Sequence, residues 1–292
     1  MGVEFSEIHA TNDRKMAQGH HAREVEQLAI NALMPILNGH RYSHLIAATS
    51  CPDSIAPSLA QCIVQRLHEY FGDACCIDLV QGCAGGVSAL ILGSQLAELN
   101  RSSVMVVSAD AAQKATSADS AIHSIFSNGS FASVLSYTTA PKGLIKFQSR
   151  QYPELSEVVT IRLGHDADQV IRAHPGDMAI DPRRHLGLSM NNAMALRLMK
   201  QAEKFYLRFI EDGVQPDILL LHQVNPMIMD HLQEVFRPYP VSFINEAEVT
   251  GNCGASTTGV VLYRIRERLR GKKIMICSFG TGGVITAGLW QC

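Results

Sequence analysis

The feature that most restricts the fold of this chain is a pattern that occurs twice. It consists of a strand, a helix, a second strand, a helix opened by a small-residue turn, and a closing strand. In the first half, HLIAATS at 44–50 reads as a strand, 57–71 as a helix starting at Pro57, and CIDLV at 76–80 as a second strand. VSALILGSQLAEL at 87–99 follows as a buried helix, and SVMVVSA at 103–109 as a third strand. The second half has a long helix over 189–211, a strand at 217–221, a helix at 226–236 and an extended VSFI at 241–244. A helix at 256–269 and strands at 273–278 and 284–290 complete it. Short apolar runs separated by single helices predict an α/β fold with a mostly parallel sheet and helices on its faces. Ahead of them, Val25, Leu28, Ala29, Ala32, Leu33, Ile36 and Leu37 recur at three and four, a helix stopped by Asn38-Gly39. Two similar units sharing one interface are therefore expected, over 1–150 and 151–292. Residues 163–186 lack periodicity and read as a long loop over the site.

Composition narrows the function classes. Lys and Arg number 25 against 27 Asp and Glu, a net charge of −2, too weak a field to hold nucleic acid or an anionic membrane. Apolar residues make up 47% and charged residues only 18%, which favours a broad interface with another subunit, and a dimer is expected. The first 20 residues hold no apolar block, and no run reads as the roughly 18 residues of a membrane span. Eight cysteines without a secretory signal then predict reduced thiols in the cytoplasm. No metal or cofactor is expected. The cysteines are not spaced as CxxC, and His20-His21 and His165 with Asp166 lack four-ligand spacing. The glycine turns near 82–86 and 280–283 lack a nucleotide-binding pattern.

Three short motifs carry candidate chemistry. In Gln81-Gly82-Cys83-Ala84-Gly85-Gly86, a cysteine sits where a strand meets a helix N-terminus. There, unpaired N–H groups and the helix dipole favour thiolate, and small neighbours leave room for a substrate and an oxyanion. A buried structural cysteine is the commoner fate of a free thiol. His222-Gln223-Val224-Asn225-Pro226 lies at the end of a strand, where α/β sheets keep reactive groups, although most of 12 histidines must be structural. Gly251-Asn252-Cys253-Gly254-Ala255-Ser256 leads into a helix and offers Asn252 as an uncharged donor, or as an ordinary N-cap.

Taken together, the order Cys83, His222, Asn252 with flanks GCAGG, HQVN and GNCGAS resembles the thiolase-fold condensing enzymes, and most of all β-ketoacyl-acyl carrier protein synthase III. The resemblance runs from about 22 to 292 and includes VVSAD at 106–110, SNGSFASVLS at 127–136 and FGTGGVITAGLW at 279–290. It implies two similar halves in a layered α-β-α-β-α architecture and a two-stage reaction. Cys83 would take an acyl group from a thioester of coenzyme A or of an acyl carrier protein. Backbone N–H groups of Cys83 and of the turn holding Thr281 and Gly282 would bind the oxyanion. A malonyl-type thioester would then lose CO₂, and His222 and Asn252 would hold the enolate that attacks the acyl group. Asn225, Phe279 and Ala56 would line the substrate site. Arg197 and Lys200 on the long helix would contact an acidic carrier protein, although a solvated helix face is the commoner meaning of such charges.

The chain also departs from that family. Its N-terminus reads as shortened, without the opening strand and without the Trp and Arg that grip coenzyme A; the sole tryptophan is Trp290. Met227 stands where a basic residue is usual, Ala56 stands before Pro57 where a bulky aromatic is usual, and Thr281 interrupts the terminal glycines. These departures favour a carrier-protein donor, or a homo- or heterodimeric partner supplying the missing wall. Two rival readings are an acyltransferase or thioesterase that uses Cys83 without decarboxylation, and a non-catalytic partner of a ketosynthase heterodimer.

Overall fold

A computed structural model describes residues 2–14, 24–116, 123–163, 186–211 and 213–292. Gly2–Asn12 (β1), His44–Ala48 (β2), Cys75–Leu79 (β3), Ser103–Ala111 (β4) and Asn128–Thr138 (β5) form one sheet in the order β1-β5-β4-β2-β3. Gly143–Gln151 (β6) opens the second sheet, and Val159–Leu163 (β7) pairs with Leu186–Met190 (β8) in a separate two-stranded ribbon. Ile218–Leu221 (β9), Ser242–Ile244 (β10), Lys273–Gly280 (β11) and Val284–Gln291 (β12) complete the second sheet, in the order β10-β9-β11-β12-β6. Read from β6, that order matches the first sheet strand for strand. Both sheets run two antiparallel pairings and then two parallel ones. They are mixed rather than mostly parallel.

Side-chain alternation shows how the layers stack. Successive residues of a strand face opposite sides, so a strand buried on both faces feeds two cores. On β2, Leu45 and Ala47 join one core while Ile46 and Ala48 join another. On β11, Ile274 and Ile276 share that second core, and Met275, Cys277 and Phe279 face a third. The first core lies under Val25–Leu33 (α1) and Leu59–Arg66 (α2), on the outside of the first sheet. The second lies between the sheets around Gly85–Asn100 (α3). The third lies under Asn192–Ile210 (α4) and Pro226–Phe236 (α5). Three apolar cores between five layers give the α-β-α-β-α sandwich.

The middle layer is made by α3 and Thr257–Arg264 (α6), with residues of both in the core shared by the two sheets. Gly82–Asn100 is long and apolar enough to cross a membrane by composition, which the sequence reading did not anticipate. In the fold it is a core helix whose first three turns are largely buried between the sheets, while Gln95 and its last residues are exposed. A Cβ on Gly86 would run into the backbone carbonyl of Ala255, so close approach of the α3 entry to the turn before α6 requires glycine there.

The clearest correction concerns the N-terminus. A strand does open the chain, because β1 pairs antiparallel with β5 along the edge of the first sheet. Its pattern escapes period-two reading because the register shifts between Phe5 and Glu7. Val3 and Phe5 are in one frame and Ile8 and Ala10 in the other, yet all pack on the central core. β6 was also unforeseen; its LIKFQSRQ stretch is largely exposed, and such charge is how an edge strand discourages further pairing. The helix expected over 57–71 breaks at Leu67, and the long helix starts at Asn192 because 186–190 is strand. Trp290 is a core residue, donating from Nε1 to Ser94 Oγ at 3.1 Å. Residues 164–185 of the expected loop, with His165 and Asp166, and also His20-His21, lie outside the described residues.

Candidate active site

Cys83 sits in a single 3₁₀ turn, Gly82–Ala84, that runs straight into α3. The turn needs Gly82 at φ +51°, and a Cβ there would also fall onto Thr281 Oγ1. The second half closes over the cysteine from the end of β11. Ser278 Oγ donates to the Cys83 carbonyl at 2.7 Å, and a Cβ on Gly280 would lie 3.2 Å from both Cβ and Sγ of Cys83. The backbone amides of Thr281 and of Cys83 itself lie near the sulfur and act to lower the pKa of its thiol.

These amides do not make a resting thiolate. Burial, with a further contribution from the charge of Asp110, pushes the Cys83 thiol up to about 12, and the two amides only partly oppose it. The helix N-terminus was expected to favour thiolate, but loss of water around the sulfur outweighs it. Burial likewise takes His222 down to about 4. At neutral pH the site therefore rests as a neutral thiol beside a neutral imidazole.

His222 extends β9, its backbone N–H donating to Cys277 O at 2.9 Å, and its ring meets Phe279 edge-on at 6.1 Å. Its Nδ1 is buried with no hydrogen-bond partner among the described residues. Gln223 Nε2 donates to Leu221 O at 2.7 Å and its Oε1 accepts from Glu246 N at 2.7 Å, which anchors the segment after β9. Asn225 is an N-cap, its Oδ1 accepting from Ile228 N at 2.8 Å to start α5.

Asn252 lies in the turn before α6. Its backbone N–H donates to Ile125 O at 3.0 Å and its carbonyl accepts from Ser127 N at 3.0 Å, which ties it to the first half. Its Oδ1 accepts from Gly254 N at 3.0 Å. That bond fixes which way the amide points and leaves Nδ2 as the donor free for a ligand.

One cavity joins these groups. It encloses about 880 Å³ including its open mouth, and its wall carries Cys83, His222, Asn252, Asn225, Phe279 and Thr281. The rest of the described wall is almost wholly apolar. Ala112, Ile125 and Phe126 come from the first half, and Ile161, Leu188, Met190, Leu198 and Ile228 from the second. No charged side chain is among the described lining residues. Other expected residues lie elsewhere. Gly282 is not in the wall; its carbonyl accepts from Gln151 Nε2. Ala56 is solvent-exposed in the loop before α2, and Arg197 and Lys200 are exposed on α4. The sequence reading did not single out Ser50 and Cys51, which line the cavity, or Asp110 beneath them.

The family model described as 3-oxoacyl-[acyl-carrier-protein] synthase III C terminal matches residues 212–292. Over 94% of this chain and 85% of its own length, the β-ketoacyl-[acyl-carrier-protein] synthase III of Clostridium kluyveri is 22% identical. The chain is similar to synthase III along nearly its whole length. The matched C-terminal residues include His222, Asn252 and the turn at Thr281. A crystal structure of a 3-oxoacyl-(acyl-carrier-protein) synthase III superposes over 100% of both chains with a TM-score of 0.82 at 19% identity. OleA of Xanthomonas campestris covers 100% of this chain and 98% of its own, with a TM-score of 0.77 at 14% identity. Both place the five-layered architecture among thiolase-like folds.

Proposed function

We propose that this protein is an acyl-thioester condensing enzyme of fatty-acid or secondary-metabolite biosynthesis, with Cys83 as nucleophile and His222 with Asn252 as the enolate site. The observation that carries the reading is the meeting of these three side chains, two from one half and one from the other, on a single apolar cavity. Cys83 attacks the acyl thioester carbonyl, and its proton passes by way of neutral His222 to the departing thiolate. The amides of Cys83 and Thr281 hold the oxyanion. A malonyl-type thioester then enters the same cavity. Its carboxylate leaves as CO₂, which an apolar wall favours because a charged ground state is poorly solvated there. His222 and Asn252 Nδ2 donate to the enolate oxygen, the enolate carbon attacks acyl-Cys83, and the sulfur leaves and takes up one proton.

Acyl carrier protein and coenzyme A thioesters are the donors this reading brings to the site. Met227, 77% exposed at the start of α5 where the family has a basic side chain, favours the carrier protein. Arg197 and Lys200, exposed on α4, would meet its acidic surface. A dimer is supported by the free edge of β3. Val80 beside it and Ile55 in the neighbouring loop are 76% and 74% exposed, and Ser58 Oγ holds that loop to Asp78 at 2.6 Å. Ala56 then belongs to the subunit interface, in a cytoplasmic enzyme without a nucleic-acid or membrane partner.

Intact-mass analysis after incubation with acyl-coenzyme A and acyl-carrier-protein donors tests the assignment. One acyl adduct is expected on the unaltered protein and none on Cys83→Ala. Absence of an adduct, or an equal adduct on both, overturns the nucleophile. Adding malonyl thioester should release CO₂; free acid without CO₂ supports a thioesterase instead.

A further inference from the structure

Asp110, next to the last residue of β4, is fully buried, and no ion pair joins it to a cation among the described residues. Its Oδ1 accepts from Thr49 Oγ1 at 2.8 Å, Ser50 N at 2.7 Å and Cys51 Sγ at 3.2 Å. Its Oδ2 accepts from Ser50 Oγ at 2.8 Å and from Ala255 N. Five donors on one carboxylate oppose the rise in pKa that its burial causes. They also connect three segments: the end of β4, the loop whose Ser50 and Cys51 line the cavity, and the turn between Asn252 and α6. The next amide back in that turn, Gly254 N, orients the Asn252 side chain. A Cβ on Gly254 would strike Asp110 Oδ2, so the turn sits directly on the carboxylate.

We infer that Asp110 is a positioning residue for the condensation step. It holds the Asn252 turn of the second half against the Ser50–Cys51 wall of the first, so that Asn252 Nδ2 meets the enolate oxygen. This rests on the reading of Cys83, His222 and Asn252 given above. The arrangement is reciprocal across the halves, since the end of β11 braces the Cys83 turn through Ser278 and Thr281, while the end of β4 braces the Asn252 turn through Asp110. Asparagine cannot replace this carboxylate. Each oxygen accepts a backbone N–H, from Ser50 on one side and Ala255 on the other, and these cannot turn round to accept from an amide. In Asp110→Asn, either orientation of the introduced amide would set an NH₂ against an N–H.

The charge also reaches the thiols. Cys83, Cys51 and Cys253 all feel Asp110; Lys114, paired with Asp53 at 2.6 Å, acts on Cys51, and Asp13 acts on Cys253. Among these charged groups, Asp110 is the one that acts on Cys83.

The test compares Asp110→Asn, Asp110→Glu and Ser50→Ala with the unaltered protein in three readouts. These are acyl adduct on Cys83, CO₂ release from malonyl thioester, and the pH dependence of Cys83 alkylation by iodoacetamide. Asp110→Asn is expected to lose at least about tenfold more condensation than acylation. Its alkylation profile moves to lower pH because a negative charge near the sulfur is gone. Asp110→Glu keeps the charge and misplaces the donors, so condensation falls while the alkylation profile stays. Equal loss of both half-reactions in folded Asp110→Asn, or no loss, overturns the inference. If Asp110→Asn does not fold, Ser50→Ala decides: condensation falling about threefold further than acylation supports positioning, and an unchanged ratio overturns it. Absence of any acyl adduct on the unaltered protein overturns the reading of Cys83 instead, and the alkylation profile still reports on Asp110.

Discussion

The turn before α3 and the turn before α6 occupy equivalent places in the two halves, yet they are built on opposite principles. Both are short 3₁₀ turns with a glycine at positive φ, Gly82 at +51° and Gly254 at +57°, and both feed a helix of the middle layer. The Cys83 turn receives a side-chain hydrogen bond at its carbonyl, from Ser278 Oγ, and backbone amides beside its sulfur favour the charged form. The Asn252 turn is saturated: Asp110, Ser127, Thr257 and Asn12 each bond to it. A nucleophile must present a free lone pair, whereas a donor to a transient enolate must hold one direction before the charge appears. The two halves offer two like frames, and on the proposed reading the two turns suit these two demands.

Four measurements break or sharpen that contrast. Asn252→Ala should lower condensation by about 10²–10³-fold, the scale seen when a preorganised oxyanion donor is removed, while the acyl adduct on Cys83 persists. Parallel loss of the adduct would mean that the two turns do not divide the labour. His222→Gln should flatten the acid side of the stability profile. The native imidazole titrates at about 4 against 6.5 unfolded, so below pH 6.5 the unfolded chain binds a proton that the folded chain refuses. Stability is then lost as pH falls towards 4, by about 3 kcal/mol for this one group, and urea titrations across that range should show the loss absent in the variant. Gly82→Ala should destabilise by about 2 kcal/mol in thermal melts, through its φ and its collision with Thr281. Thr281→Gly in the same chain should recover part of that. Asn225→Ala, which removes the α5 cap, should cost about 1 kcal/mol in thermal melts.

Much of this was legible in the chain because it is local. Fully buried strands such as Ile218–Leu221 are continuous apolar runs, and α5 falls at 226–236 as read because Asn225 and Pro226 are start signals in the sequence itself. Cys83, His222 and Asn252 stand out in the sequence because each lies on a turn with its own signature. β1 was missed because its bulge changes frame at Glu7, and β6 because a partly exposed edge strand has no apolar code to read. Ala56 and Gly282 were assigned by resemblance, and neither lines the cavity of the single chain.

The sequence by itself determined the alternation of elements, the three candidate residue types and their order, since propensity, capping and turn chemistry act over a few neighbours. Only the tertiary structure decided that the two sheets are half antiparallel, that Cys83 and His222 rest neutral, and that Asp110 braces a turn 145 residues away. Strand pairing, desolvation and long-range hydrogen bonds depend on which surfaces meet, and that is settled only when the two halves close on each other.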